Sequence, residues 1–147
     1  MSVRNLPGIC CIVIIALIFN ASCSPFKLMS YREYHRKLNA SKAEIEEKIS
    51  ENPLYLVTGS KCGYSKASKV ILRHAGIPFK YTDFDKRKDA RIFLNALFER
   101  QNLKTTNLPF VFVCGKYIGG FHPLNEKLGD GTLKKEIENC KQAKKQA

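Results

Sequence analysis

The residues most suggestive of chemistry are Lys61-Cys62-Gly63-Tyr64-Ser65-Lys66, a cysteine between two lysines just after a strand-forming run. A thiol attacks disulfides only as its thiolate. A helix N-terminus and cationic neighbours both stabilise that anion and lower the thiol pKa. The plainer reading is a small buried cysteine packed against a sheet. The approach Gly59-Ser60-Lys61 and the glycine at 63 argue for an open, polar setting instead. The predicted activity is thiol–disulfide exchange at Cys62, with a depressed pKa favoured by Lys61 and Lys66.

The elements that would position this thiol follow from the apolar spacing. Leu54 to Thr58 is a short strand-forming run, ended by Gly59-Ser60. Beyond Cys62, the residues Ala67, Val70, Ile71 and Ala75 recur at helical spacing, and Gly76 and Pro78 supply a stop. Upstream, Ser41-Lys42-Ala43-Glu44 has the spacing of a capping box, with Ile45 and Ile49 on one face of a helix ended at Asn52-Pro53. Downstream, a strand from Phe79 to Phe84 leads to Asp85 as the cap of a helix bearing Ala90, Phe93, Leu94, Leu97 and Phe98. Phe110 to Cys114 and Lys116 to Ile118 form a hairpin about Gly115, and a last helix runs from Thr132 to Cys140. This order predicts an α/β domain, a four-stranded sheet with helices on both faces and the reactive thiol at a strand-to-helix junction.

With 147 residues and a formal net charge of +12, the chain has room for one compact domain with appendages and presents a basic surface. Such a surface favours acidic small molecules without selecting one, and no nucleic-acid partner is expected. Residues 1–24 carry Arg4, an apolar run from Gly8 to Phe19 and then Ala21-Ser22-Cys23-Ser24, the order of a secretory signal peptide cleaved near Cys23 or Ser24. The alternatives are an uncleaved membrane anchor, favoured by Lys27, Arg32, Arg36 and Lys37, and a lipid-modified Cys23. Residues 25–40 read as an irregular linker, 41–140 as the domain and 141–147 as a basic tail. Of the six cysteines, Cys10, Cys11, Cys23, Cys62, Cys114 and Cys140, the spacing suggests neither a disulfide framework nor a zinc site. Cys114 is expected as a packed strand cysteine, with resolution of a Cys62 disulfide as the alternative, and Cys140 is a candidate for pairing between molecules.

Cys62-Gly63-Tyr64-Ser65 resembles the Cys-x-[Tyr/Phe]-[Cys/Ser] active site of the glutaredoxins in its monothiol form. Asn52-Pro53, Thr82-Asp83-Phe84-Asp85, Leu108-Pro109-Phe110-Val111-Phe112-Val113 and Gly115-Lys116-Tyr117-Ile118-Gly119-Gly120 follow the same family pattern in order, across residues 44–140. The resemblance implies a thioredoxin fold with a mixed sheet, Cys62 as nucleophile and Pro109 as a cis-proline facing it. It implies glutathione as co-substrate, protein–glutathione mixed disulfides as targets, and glutathione contacts from Lys61, Tyr64, the Leu108 backbone, Gly119, Gly120 and His122. A [2Fe–2S] cluster held by Cys62 is the family's alternative use of the site, although the chain lacks the extended loop and Trp-Pro pair of that branch. A non-catalytic binding protein is the third reading.

The family lysine three residues before the cysteine is Gly59 here, with Lys61 or Lys104 as substitutes, and the threonine before the loop proline is replaced by Asn107. The segment after the glycine pair is Phe121-His122-Pro123, where proline has no N–H to donate. These departures all concern glutathione contacts rather than the fold.

Overall fold

A computed structural model describes residues 29–102 and 107–146. The chain divides into two units at Ser30, and the unit from Tyr31 onward carries the elements described below. Helix α1 spans Tyr31–Glu51, β1 Leu54–Thr58, α2 Gly63–His74, β2 Lys80–Asp83 and α3 Ala90–Gln101, with a 3₁₀ turn at Phe84–Lys86. Strands β3 (Phe110–Val113) and β4 (Lys116–Gly119) follow, then α4 (Phe121–Gly129) and α5 (Thr132–Gln146). The segment expected to be a signal peptide, the start of the expected linker and Lys104 lie outside the described residues. No helix among the described residues is long and apolar enough to cross a membrane.

The sheet has strand order β2-β1-β3-β4. Strand β1 runs parallel to β2, with Thr58 beside Asp83, and antiparallel to β3, with Val57 beside Phe110. Strand β4 returns antiparallel along β3. The mixed four-stranded sheet and thioredoxin-type layout expected from the sequence are therefore present. All five residues of β1 are buried because both sheet faces are covered, so the strand reads as a continuous apolar run rather than an alternation. Tyr55 and Val57 face one core with Ile45, Ile49, Phe93, Leu97, Phe110 and Phe112. Leu54 and Leu56 face the other, with Leu72, Val111, Leu124 and Leu133.

Several boundaries differ from the sequence reading. Residues 31–40 are helical rather than an irregular linker, and Ser41 lies inside α1, buried among Leu38, Ile45 and Ile49. Glu44 is no cap: its carboxylate accepts from Arg87 Nη1 and Nη2 at 2.7 and 2.8 Å, joining α1 to the segment just before α3. Asp89 occupies the N-cap position of α3, and Asp85 instead accepts from the Ser60 backbone N–H at 2.9 Å. The buried face of α2 is Ser65, Ser68, Lys69 and Leu72, while Val70 is exposed. Residues 121–129, to which the sequence reading assigned no element, form α4, because proline at the third helical position sacrifices only an N–H that has no intrahelical partner. The basic tail continues α5 through Gln146.

Candidate active site

Cys62 is the N-cap residue of α2, where β1 hands the chain to the helix. Two interactions fix the intervening turn. The Cys62 N–H donates to the Gly59 carbonyl at 3.2 Å, and the Asp85 carboxylate holds both the backbone and the hydroxyl of Ser60. Beneath the turn, a buried ion pair joins α2 to the end of β2: Lys69 Nζ lies 2.8 Å from Asp83 Oδ1, which also accepts from the Thr58 hydroxyl at 2.6 Å. The Lys69 ammonium sits 4.3 Å from the centre of the Tyr81 ring. Burial pushes the Asp83 carboxyl up, but Lys69, Thr58 and Lys86 outweigh it, and its pKa lies below the ordinary carboxylate value.

The thiol itself is partly buried. Burial pushes its pKa up, against which the Ser65 hydroxyl and the N–H groups of Ser65 and Tyr64 donate to the sulfur, leaving it below the ordinary thiol value. These donors are the open first turn of α2, where N–H groups lack intrahelical acceptors. The lowered pKa expected from the sequence is present, but first-turn donors hold it rather than the flanking lysines. Ser65 is fully buried, and its hydroxyl oxygen accepts from the Gly59 N–H at 3.2 Å while its proton serves Cys62. The sequence reading used Ser65 only as the residue that makes the motif monothiol. Its place three residues after the cysteine, inside the first helical turn, was the signal for this second role.

Around the sulfur lies a cleft of about 670 Å³ lined by Cys62, Tyr64, Asn107, Leu108, Tyr117 and Gly120 through Pro123. The thiol sits 3.8 Å from the Leu108 carbonyl oxygen, and the Leu108–Pro109 bond is cis. Of the residues expected to contact glutathione, Tyr64, Leu108, Gly120 and His122 line this cleft. Lys61 is exposed and outside that lining, Pro109 is buried behind it, and Gly119 meets Pro123. At φ +116°, Gly119 has a backbone few other residues adopt, and a Cβ there would stand 2.9 Å from the Pro123 ring. A Cβ on Gly120 would approach the Pro109 carbonyl at 3.4 Å.

Tyr64 stacks obliquely near Phe121 and His122, with ring centres 5.5 and 5.7 Å apart, giving the cleft an aromatic wall. Asn107, Tyr117 and Phe121 were not singled out as contacts by the sequence reading. Cys62 is the one thiol in the lining, and no group of three metal-ligating side chains gathers among the described residues.

A helix-capping thiol with a depressed pKa, beside a cis-proline loop on a four-stranded mixed sheet, defines a thioredoxin-fold thiol–disulfide oxidoreductase. The Glutaredoxin family profile matches residues 54–118. Glutaredoxin-2 of Schizosaccharomyces pombe is 33% identical over 104 residues, covering 71% of this chain and 93% of that protein. The mitochondrial Glutaredoxin-2 of Mus musculus is 27% identical over 103 residues, 70% of this chain and 65% of that one. Among solved structures, a buckwheat glutaredoxin–glutathione complex superposes with a TM-score of 0.64 at 27% identity, covering 71% of this chain and 94% of that chain. The chain belongs to the glutaredoxin family, whose activity is glutathione-dependent thiol–disulfide oxidoreduction.

Proposed function

We propose that the chain works by a monothiol route on protein–glutathione mixed disulfides. The observation that carries this reading is the single thiol of the cleft, Cys62, hydrogen-bonded by a serine where a second cysteine would resolve an intramolecular disulfide. Cys62 thiolate attacks the glutathione sulfur of the mixed disulfide, the protein thiolate leaves and takes up a proton, and Cys62 becomes glutathionylated. A second glutathione thiolate attacks that adduct, releasing glutathione disulfide and restoring Cys62.

Glutathione lies in the cleft with its cysteine backbone along Leu108 and its γ-glutamyl end toward Gly120 and the first turn of α4. In that turn Pro123 contributes no N–H, and Leu124 N–H is engaged by the Gly120 carbonyl at 3.3 Å. The donors left for a carboxylate are the N–H groups of Phe121 and His122, so glutathione is held by fewer bonds than a donor-bearing residue at 123 would allow. The apolar run of the first 24 residues supports action in the secretory pathway or outside the cell.

Deglutathionylation of a synthetic glutathionylated peptide tests the reading. Cys62→Ser should abolish turnover. Native protein as inert as Cys62→Ser would replace the enzyme by a glutathione-binding or partner-binding module. Intact mass after expression through a secretory pathway tests the location, since retention of residues 1–24 in membrane fractions would indicate an anchor.

A further inference from the structure

At the opposite end of the sheet from Cys62, two further thiols share a cleft. Cys114 begins the β3–β4 turn and Cys140 lies on α5; both are free, half-buried and line one cleft of about 490 Å³ with Tyr117, Lys127 and Glu136. Cys114 Sγ donates to the Glu136 carbonyl at 3.4 Å, one helical turn before Cys140, and Cys140 lines the same cleft. Cys114 also has φ +51°, and with Gly115 at +82° it forms a turn in which both central residues are left-handed. Asparagine, aspartate or glycine ordinarily occupies that first position, and a cysteine there carries backbone strain that packing alone does not explain.

We infer that Cys114 and Cys140 form a second redox site, an intramolecular dithiol that closes to a disulfide and clips the β3–β4 hairpin to α5. This site does not depend on Cys62. The Cys114 proton is engaged by the Glu136 carbonyl and burial pushes that thiol up, so the first attack falls to Cys140. Its thiolate opens glutathione disulfide, forming a Cys140–glutathione mixed disulfide and releasing one glutathione thiolate. Cys114 then attacks the Cys140 sulfur and gives its proton to the departing second glutathione. Two protein thiols are oxidised, one glutathione disulfide is reduced to two glutathiones, and no other oxidant enters. Lys127, which pairs with Glu136 at 2.5 Å, and Lys144 place positive charge near an incoming acidic disulfide.

The test is to reduce the full chain, expose it to glutathione disulfide, block remaining thiols with N-ethylmaleimide and map the digest by mass spectrometry without reduction. The expected product is a monomer in which the Cys114 peptide is joined to the Cys140 peptide, in native protein and in Cys62→Ser alike. Oxidation should raise Tm by about 5 °C through closure of a long loop. Cys114→Ser and Cys140→Ser should each lose that rise while retaining deglutathionylation by Cys62. Maleimide on both thiols after excess glutathione disulfide, a stable glutathione adduct on Cys140, or a link from either cysteine to Cys62, to a residue before Pro25 or to a second chain would overturn the inference.

Discussion

The two ends of the sheet treat sulfur in opposite ways. Cys62 and Cys114 are both partly buried, and burial alone raises each thiol. At Cys62, a helix's first turn and a buried serine supply enough donors to reverse the sign. At Cys114, the nearest groups are a helix carbonyl, another thiol and the Glu136 carboxylate, which favour the protonated form. Burial therefore does not decide whether a cysteine is a nucleophile; the donors and acceptors around the sulfur do.

The widest disturbance of this contrast should come from the ion pair beneath Cys62. Lys69→Met leaves Asp83 about nine-tenths buried without its principal cation, and urea unfolding should show a loss of about 3 kcal/mol. Because the folded pKa of Asp83 is depressed, its stabilisation is present at neutral pH and is lost as pH falls through the acidic carboxylate range. Asp83→Asn should consequently flatten the acid limb of the stability profile. An acid limb unchanged in Asp83→Asn would remove this pair from the supports of the site.

Ser65→Ala addresses the contrast more directly. It removes a donor from the Cys62 thiolate and leaves the Gly59 N–H without its acceptor. The pH profile of iodoacetamide reaction should move upward, and turnover at neutral pH should fall about tenfold, since a hydrogen bond to a charged group contributes about 1.5–3 kcal/mol. Cys114 should be unaffected. A profile that stays in place would assign the depressed pKa to the backbone N–H groups alone.

The smallest effect is expected at the cleft rim. Pro123→Asp restores an N–H and adds an acid at a helix start, and should strengthen glutathione use by up to about tenfold. Glutathione dependence of deglutathionylation measures it. Equal curves for the two proteins would place the γ-glutamyl end elsewhere in the cleft.

Much of the site was legible because its parts are local. The Cys62 tetrad, the Leu54–Thr58 strand before it and the Leu108-Pro109 loop sit in short segments whose residue types match their backbone roles. The errors arose where tertiary partners override a local pattern. Ser41 and Glu44 have capping-box spacing, yet Leu38, Ser41, Ile45 and Ile49 form one stripe that α3 covers, and the helix continues through them. The most buried positions of α2 are largely polar because Asp83 satisfies Lys69, the Gly59 N–H satisfies Ser65 and the Tyr64 carbonyl satisfies Ser68, so apolar periodicity found Ile71 and Ala75, which pack on the core, but missed this face and included the exposed Val70. The meeting of Cys114 with Cys140 spans a hairpin and two helices, and no sequence spacing reports it.

The turn before Cys62 also constrains how this cleft can change over evolutionary time. A Cβ at Gly59 would lie 2.9 Å from the Leu108 Cδ1 atom and 3.5 Å from Phe84. The end of the Leu108 side chain thus occupies the space that a side chain at 59 would enter, so the two positions are sterically coupled. A lineage acquiring lysine at 59 has to turn the Leu108 side chain aside, a rotamer change that leaves the Leu108 carbonyl facing the nucleophile.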